Sequence, residues 1–148
     1  AATDRVRTAP AVRSFRPAPA IRQTATASRP GVDVDLAHYK GRKCPVVVFA
    51  PWPEYSSYRK IMAAFRSQPV KVLERDIVLF EILEEGQSRV DGVPLSAASA
   101  RVIRERLNPG GGRFLVSLIG TDGAEKLRGG HDVTAELVFA LCDIMGGA

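Results

Sequence analysis

The run Val46-Val47-Val48-Phe49-Ala50 constrains this chain most, because it is apolar and largely β-branched and does not alternate with polar residues. Such a run is typical of a strand buried on both faces, as in a parallel sheet covered by helices. Pro51-Trp52-Pro53 ends the strand. An amphipathic helix is then predicted over residues 54–67, from apolar residues spaced three and four apart: Tyr58, Ile61, Met62 and Phe65.

The rest of the chain continues this alternation of strands and helices. The patterns predict, in order, a buried strand at Ile77–Leu83, a helix from Ser96 to Asn108, a strand at Phe114–Ile119, a hairpin turn at Asp122-Gly123, a polar strand near residues 125–128 and a helix capped by Thr134. Right-handed crossovers make the first βαβ unit parallel. The order β-α-β-α-β-β-α is that of the minimal thioredoxin fold, an α/β sandwich with a mixed four-stranded sheet.

The basic charge of the chain is confined to its beginning. The net charge is +5, yet residues 1–30 carry six Arg and one acid, and the remainder carries 15 basic and 15 acidic residues. The Arg-, Pro- and Ala-rich segment has too few large apolar residues to offset the entropy of ordering it. We therefore expect a disordered tail and lead-in over residues 1–35 and one domain over residues 36–148. The neutral domain argues against nucleic acid as its partner.

No apolar run reaches the ~20 residues that a membrane span needs, so no transmembrane segment is expected. The sequence begins at Ala1, which is consistent with an exported protein, periplasmic or extracellular, whose signal peptide has been removed. A trimmed cytoplasmic protein is the alternative.

Four segments of the chain resemble a known family: residues 73–79 (LERDIVL), 89–92 (RVDG), 112–114 (GRF) and 118–128 (LIGTDGAEKLR). Together they resemble the bacterial domain-of-unknown-function family numbered 4174, which is similar to the C-terminal domains of secreted vertebrate proteins of the sushi-repeat and coiled-coil-domain type. The resemblance runs from Leu36 to Met145. It implies a thioredoxin-like fold and assigns no activity. The chain departs from the family at Thr121, where members usually have Lys.

Thioredoxin chemistry requires two cysteines where the first strand meets the first helix, because the helix N-terminus lowers the pKa of a thiol there. Residues 49–58 contain no cysteine, which excludes dithiol exchange and single-cysteine peroxidase chemistry at this place. The two thiols are Cys44, just before the first strand, and Cys142, in the apolar stripe of the last helix. Cys142 is most simply a buried apolar residue, and a Cys44–Cys142 disulfide is the alternative for an exported protein.

The remaining polar residues do not indicate a metal, a cofactor or a hydrolase. His38 and His131 are far apart in sequence and are interpreted as surface residues, so no metal site is expected. Ser56 or Ser57, at the start of the first helix, is interpreted as a helix cap. Five carboxylates around the second strand are interpreted as solvated strand ends: Glu74, Asp76, Glu81, Glu84 and Glu85.

The loop from Pro51 to Tyr58 occupies the active surface of thioredoxin folds and carries Trp52, Tyr55 and Tyr58. Aromatic clusters are favoured in partner recognition, although Trp52 could equally pack inward on the first helix. The leading hypothesis is a non-catalytic module that binds a protein or surface partner. Two alternatives stay open: an atypical thiol redox or antioxidant protein that uses Cys44 and Cys142, and binding of nucleic acid or an anionic membrane by the basic tail.

Overall fold

The structure, a computed structural model, describes residues 31–146, so the predicted basic tail and its binding alternative lie outside the described residues. Six strands form one sheet: β1 (Cys44–Ala50), β2 (Ile77–Leu83), β3 (Arg89–Val90), β4 (Val93–Pro94), β5 (Leu115–Ile119) and β6 (Glu125–Gly129). The α-helices are α1 (Ser56–Arg66), α2 (Pro69–Glu74), α3 (Ala97–Leu107) and α4 (Ala135–Gly146), and a 3-10 turn at Leu36–Tyr39 precedes β1. Between residues 31 and 146 no helix is long and apolar enough to cross a membrane.

The strand β1 lies inside the sheet, whose spatial order is β4-β3-β2-β1-β5-β6. It pairs in parallel with β2 and antiparallel with β5, and all seven of its residues are buried. The apolar run predicts this for residues 46–50; the strand begins two residues earlier, so Cys44 is its first residue and does not precede it. Successive side chains point to opposite faces of a strand. Val46, Val48 and Ala50 pack in the same core as residues of α1 and α4, whereas Val47 and Phe49 pack with Ile103 of α3 on the other face.

The sheet has six strands where the sequence predicts four. The additional pair, β3 and β4, is a short hairpin on the edge of β2, and its turn residues Asp91 and Gly92 both have positive φ values, 48° and 80°. Asp91 also accepts a hydrogen bond from the Leu79 amide at 2.9 Å. The turn is recognisable in the sequence, but strands of two residues are too short to show a period.

A second unpredicted element, α2, begins at Pro69. Proline suits the first position of a helix, because the N–H that it lacks has no partner there. Thr134 caps the last helix as predicted, and Ser96, where the sequence predicts that α3 starts, is the N-cap of that helix. Ser96 accepts from the Ser99 amide and Thr134 from the Leu137 amide, each at 3.1 Å.

The lead-in, residues 31–35, is hydrogen-bonded to the domain. The Val32 amide donates to the Pro94 carbonyl at 2.9 Å, and the Val32 carbonyl accepts from the Ser96 amide at 2.8 Å. The Val34 amide donates to the Ser99 hydroxyl at 2.9 Å. These contacts attach the lead-in to β4 and to the beginning of α3.

Candidate functional site

The loop between β1 and α1 is held against the end of β2. The Pro51 carbonyl accepts from the Glu85 amide at 2.9 Å, and the Ala50 carbonyl accepts from the Glu84 amide at 3.1 Å. Trp52 stands on this loop with 45% of its surface exposed, so inward packing on the first helix is not what the structure shows. The loop thus presents an indole from a backbone that is fixed at its base.

Trp52 belongs to a group of four rings, which we call the aromatic cluster: Trp52, Tyr55, Phe114 and His131. The Trp52 and Tyr55 rings meet edge to face with centroids 5.8 Å apart, and the Tyr55 ring stacks on Phe114 at 6.0 Å. The His131 ring lies 6.2 Å from Tyr55 and 5.5 Å from Phe114. Edge-to-face and stacked arrangements at these spacings are the favourable ones for aromatic pairs. The cluster joins the β1–α1 loop to the entry of β5 and to the segment before α4.

Ser57 connects α1 to the same cluster. Its Oγ lies 2.5 Å from Nδ1 of His131; Ser57 is half-buried and His131 is exposed. The N-cap of α1 is Tyr55, which makes no capping hydrogen bond through its side chain, so the interpretation of Ser56 or Ser57 as the cap is wrong. A Ser–His pair is part of a hydrolase triad, but among the hydrogen bonds of residues 31–146 no carboxylate orients this imidazole.

Tyr58, the third aromatic residue of the predicted surface, points into the core instead. Its hydroxyl donates a hydrogen bond to Oε1 of Glu81, and Nη2 of Arg66 lies 3.4 Å from the same oxygen. Glu81 is only 2% exposed, so it is not a solvated strand end. Burial, followed by the hydrogen bond to Glu81, raises the pKa of Tyr58 above its usual range.

The two cysteines lie away from the loop, in the core between the sheet and helices α1 and α4. Cys44 is the first residue of β1 and Cys142 is on α4, and both are free thiols. Burial raises the pKa of the Cys44 thiol and raises that of Cys142 to about 12. Both shifts oppose thiolate formation, whereas a reactive cysteine needs a lowered pKa and access to solvent.

The two histidines do not meet. His131 lies in the aromatic cluster, whereas Nε2 of His38 lies 2.8 Å from Nη2 of Arg42. In the part of the chain that is described, no group of three His, Cys, Asp or Glu side chains could hold a metal ion.

The sequence predicts Trp52 and Tyr55 as residues of this surface but does not predict the other half of the aromatic cluster. Its patterns indicate Phe114 only as the start of a strand and His131 only as a surface residue. The available signal was the GRF segment at residues 112–114, which is one of the stretches that resemble the family.

This fold and its thiol-free loop define a thioredoxin-like domain without the thioredoxin dithiol. Solved structures with the same fold include the reduced 2-Cys peroxiredoxin of Plasmodium vivax, with a TM-score of 0.57 and 13% identity over 76% of this chain and 82% of that one. Thioredoxin peroxidase I of Plasmodium yoelii gives a TM-score of 0.53 and 12% identity over 76% of each chain. The apo form of Trgpx gives a TM-score of 0.50 and 16% identity over 85% of this chain and 98% of that one. At these identities the similarity establishes the fold and not the activity.

The chain belongs to the family described as domain of unknown function DUF4174, whose model matches residues 35–146. The resemblance seen in the sequence is thereby confirmed, together with the thioredoxin-like fold that it implies. No curated protein matches the sequence.

Proposed function

We propose that this domain is a non-catalytic thioredoxin-like module that binds a protein partner through the aromatic cluster. The observation that carries the proposal is Trp52, which is 45% exposed on a stack of three further rings. Half-exposed Trp and Tyr side chains on a rigid support are the residues that contribute most at protein interfaces. Little conformational entropy is lost on binding, because the rings already support one another.

The position of the cluster supports the same proposal. It lies at the β1–α1 junction, where thioredoxin chemistry needs its cysteines, and residues 49–58 contain none. Backbone hydrogen bonds and the Ser57–His131 contact fix the surroundings of Trp52. This surface therefore offers a partner a fixed apolar area with the indole N–H as a donor, and no nucleophilic thiol.

The test uses the single tryptophan of the chain. The wild-type protein, Trp52→Ala and Val102→Ala are immobilised, and proteins are captured from extracts of the source cells. Val102 is similarly exposed but lies on α3, at the opposite face of the sheet, and it serves as the matched control. A partner that meets the proposal is retained by the wild type and by Val102→Ala and is lost with Trp52→Ala.

The purified partner is then titrated against each protein by calorimetry, and against the wild type by the emission of Trp52. We expect Trp52→Ala to weaken binding by about 30-fold, the equivalent of a 2 kcal/mol interface residue. We expect Val102→Ala to bind as the wild type does. Equal affinity of all three proteins would contradict the proposal.

The alternative of a thiol redox enzyme is tested on the same preparations. Reduction of peroxides and of disulfides is measured for the wild type and for the double variant Cys44→Ser/Cys142→Ser. We expect no turnover by either protein, because both thiols are buried with raised pKa values. Turnover by the wild type that disappears in the double variant would contradict the proposed binding module and support a thiol redox enzyme.

A further inference from the structure

The two cysteines of the chain lie in one core although they are far apart in sequence. Cys44 begins β1, where its amide donates to the Asp76 carbonyl at 2.9 Å, and Cys142 lies on α4. They are 5% and 4% exposed and belong to the same cluster of buried side chains. The parallel pairing of β1 with β2 and the packing of α4 on this face of the sheet therefore bring both thiols to the same place.

The thiols are close enough there to affect each other's ionisation. Burial raises the pKa of both; in addition, the charge of Cys44 raises the pKa of Cys142, whereas Cys142, as a hydrogen-bond donor, lowers the pKa of Cys44. The charged neighbours are Asp76 near Cys44, and Arg75 and Asp143 near Cys142. Arg75 also joins α2 to α4, because its Nε lies 2.9 Å from Oδ1 of Asp143. The pair is thus enclosed by elements that an ion pair holds together.

We propose that Cys44 and Cys142 form a reversible disulfide that joins the first strand of the domain to its last helix. This modification site is independent of the aromatic cluster. The oxidant is a low-molecular-weight disulfide of the glutathione class.

The reaction takes two exchange steps. The Cys44 thiolate attacks one sulfur of the small disulfide, whose S–S bond breaks, so that a mixed disulfide forms on Cys44 and one small thiolate leaves. The Cys142 thiolate then attacks the Cys44 sulfur and expels the second small thiolate. The protein loses two electrons and two protons, and the small disulfide becomes two thiols.

Cys44 is the residue that attacks first. Burial raises the pKa of both thiols, to about 12 for Cys142, but at Cys44 the hydrogen bonds from Cys142 and from the Thr121 backbone offset part of the rise in pKa. Access requires movement of α4, whose Phe139 packs edge to face on Phe65 with centroids 5.8 Å apart. Oxidation should therefore be slow compared with that of an exposed thiol.

The experiment uses the reduced full chain with oxidised glutathione under native conditions. Samples are quenched in acid, alkylated in denaturant and measured by intact mass. We expect a monomer that has lost two hydrogens and accepts no alkylating agent until it is reduced. The single variant Cys142→Ala should stop at a glutathione adduct on Cys44, and the double variant Cys44→Ala/Cys142→Ala should not react.

A second measurement separates the disulfide from adventitious oxidation. The midpoint of urea unfolding should rise when the wild type is oxidised and return when it is reduced, with no change in the double variant. Val102→Ala should oxidise at the wild-type rate, and neither the mass nor the urea measurement involves a partner, so failure of the binding proposal and failure of this one are distinguishable. The inference is overturned by two thiols that stay free under native conditions but oxidise in urea, by intermolecular dimers, or by an oxidised form that is less stable than the reduced one.

Discussion

The hydrogen bond from Tyr58 to Glu81 predicts a specific loss of stability in Tyr58→Phe. Phenylalanine keeps the buried ring, so this variant removes the hydroxyl and leaves the packing in place. Glu81 is 2% exposed and would keep one close charged neighbour, Arg66, at 3.4 Å. The Arg66 side chain is 63% exposed, and solvent therefore weakens its interaction with the carboxylate.

A hydrogen bond to a charged acceptor contributes about 1.5–3 kcal/mol, and we expect Tyr58→Phe to lower the free energy of unfolding by about 2 kcal/mol. Glu81→Leu leaves the buried hydroxyl of Tyr58 without its acceptor, which costs about 1–3 kcal/mol. The double variant contains neither polar group. Its loss should therefore be smaller than the sum of the two single losses, with a coupling energy of about 1–3 kcal/mol.

The four proteins are compared by equilibrium unfolding in urea, followed by the fluorescence of Trp52. Tyr39→Phe is the matched control, because the Tyr39 ring packs edge to face on Phe80 and is less buried than Tyr58. We expect the control to change the free energy of unfolding by less than about 0.5 kcal/mol. The reasoning would be refuted if the loss in the double variant equalled the sum of the two single losses to within about 0.5 kcal/mol. Glu81 and Tyr58 would then contribute independently to the free energy of unfolding.

Three other changes test separate parts of the domain. Burial raises the pKa of Cys142 from an ordinary 9.0 to about 12, so the stability that its neutral form provides is complete below pH 9 and is lost as the pH rises toward 12. The urea midpoint should therefore depend less on pH between 9 and 12 in Cys142→Ala than in the wild type. The same pH dependence in both proteins would contradict this. Asn108 ends α3 with φ 48°, a left-handed conformation that glycine adopts more easily than alanine. In urea unfolding, Asn108→Ala should therefore lower the free energy of unfolding by about 1 kcal/mol, and Asn108→Gly should lower it by less. Gly31 has φ +58° and a Cβ there would lie 2.6 Å from the Leu95 backbone, so Gly31→Ala should lower the thermal midpoint; an equal shift in Gly111→Ala, where space is open, would argue against it.

The main strands and helices could be predicted because their signals are local. All residues of β1 are buried, and the apolar run at residues 46–50 within it can be recognised without knowing which strands pair with it. The caps Ser96 and Thr134 lie within three residues of the amides that they accept from. The β3–β4 hairpin could not be predicted in this way, because strands of two residues are too short to show an alternation of apolar and polar residues.

The site could not be predicted in the same way, because its contacts join distant parts of the chain. Ser57 and His131 are 74 positions apart, and Tyr58 and Glu81 are 23 apart. One sequence signal was available for the second pair. A carboxylate in the middle of the apolar run Ile77–Leu83 requires a buried partner, because an unpaired charge in a core is very costly.

The contacts around the β1–α1 loop are the basis for proposing Trp52 as the side chain that engages a partner. A catalytic site here would need a free nucleophile in the first turn of α1, but the hydroxyl of Tyr58 is hydrogen-bonded to Glu81. The hydroxyl of Ser57 faces an imidazole that no carboxylate orients among the described hydrogen bonds, so the pair lacks the group that fixes a general base. The Trp52 ring packs on the Tyr55 ring, and 45% of the Trp52 surface remains exposed. An indole supplies apolar area and one donor rather than a reactive group, and this is the physical reason why we propose that the surface binds a partner.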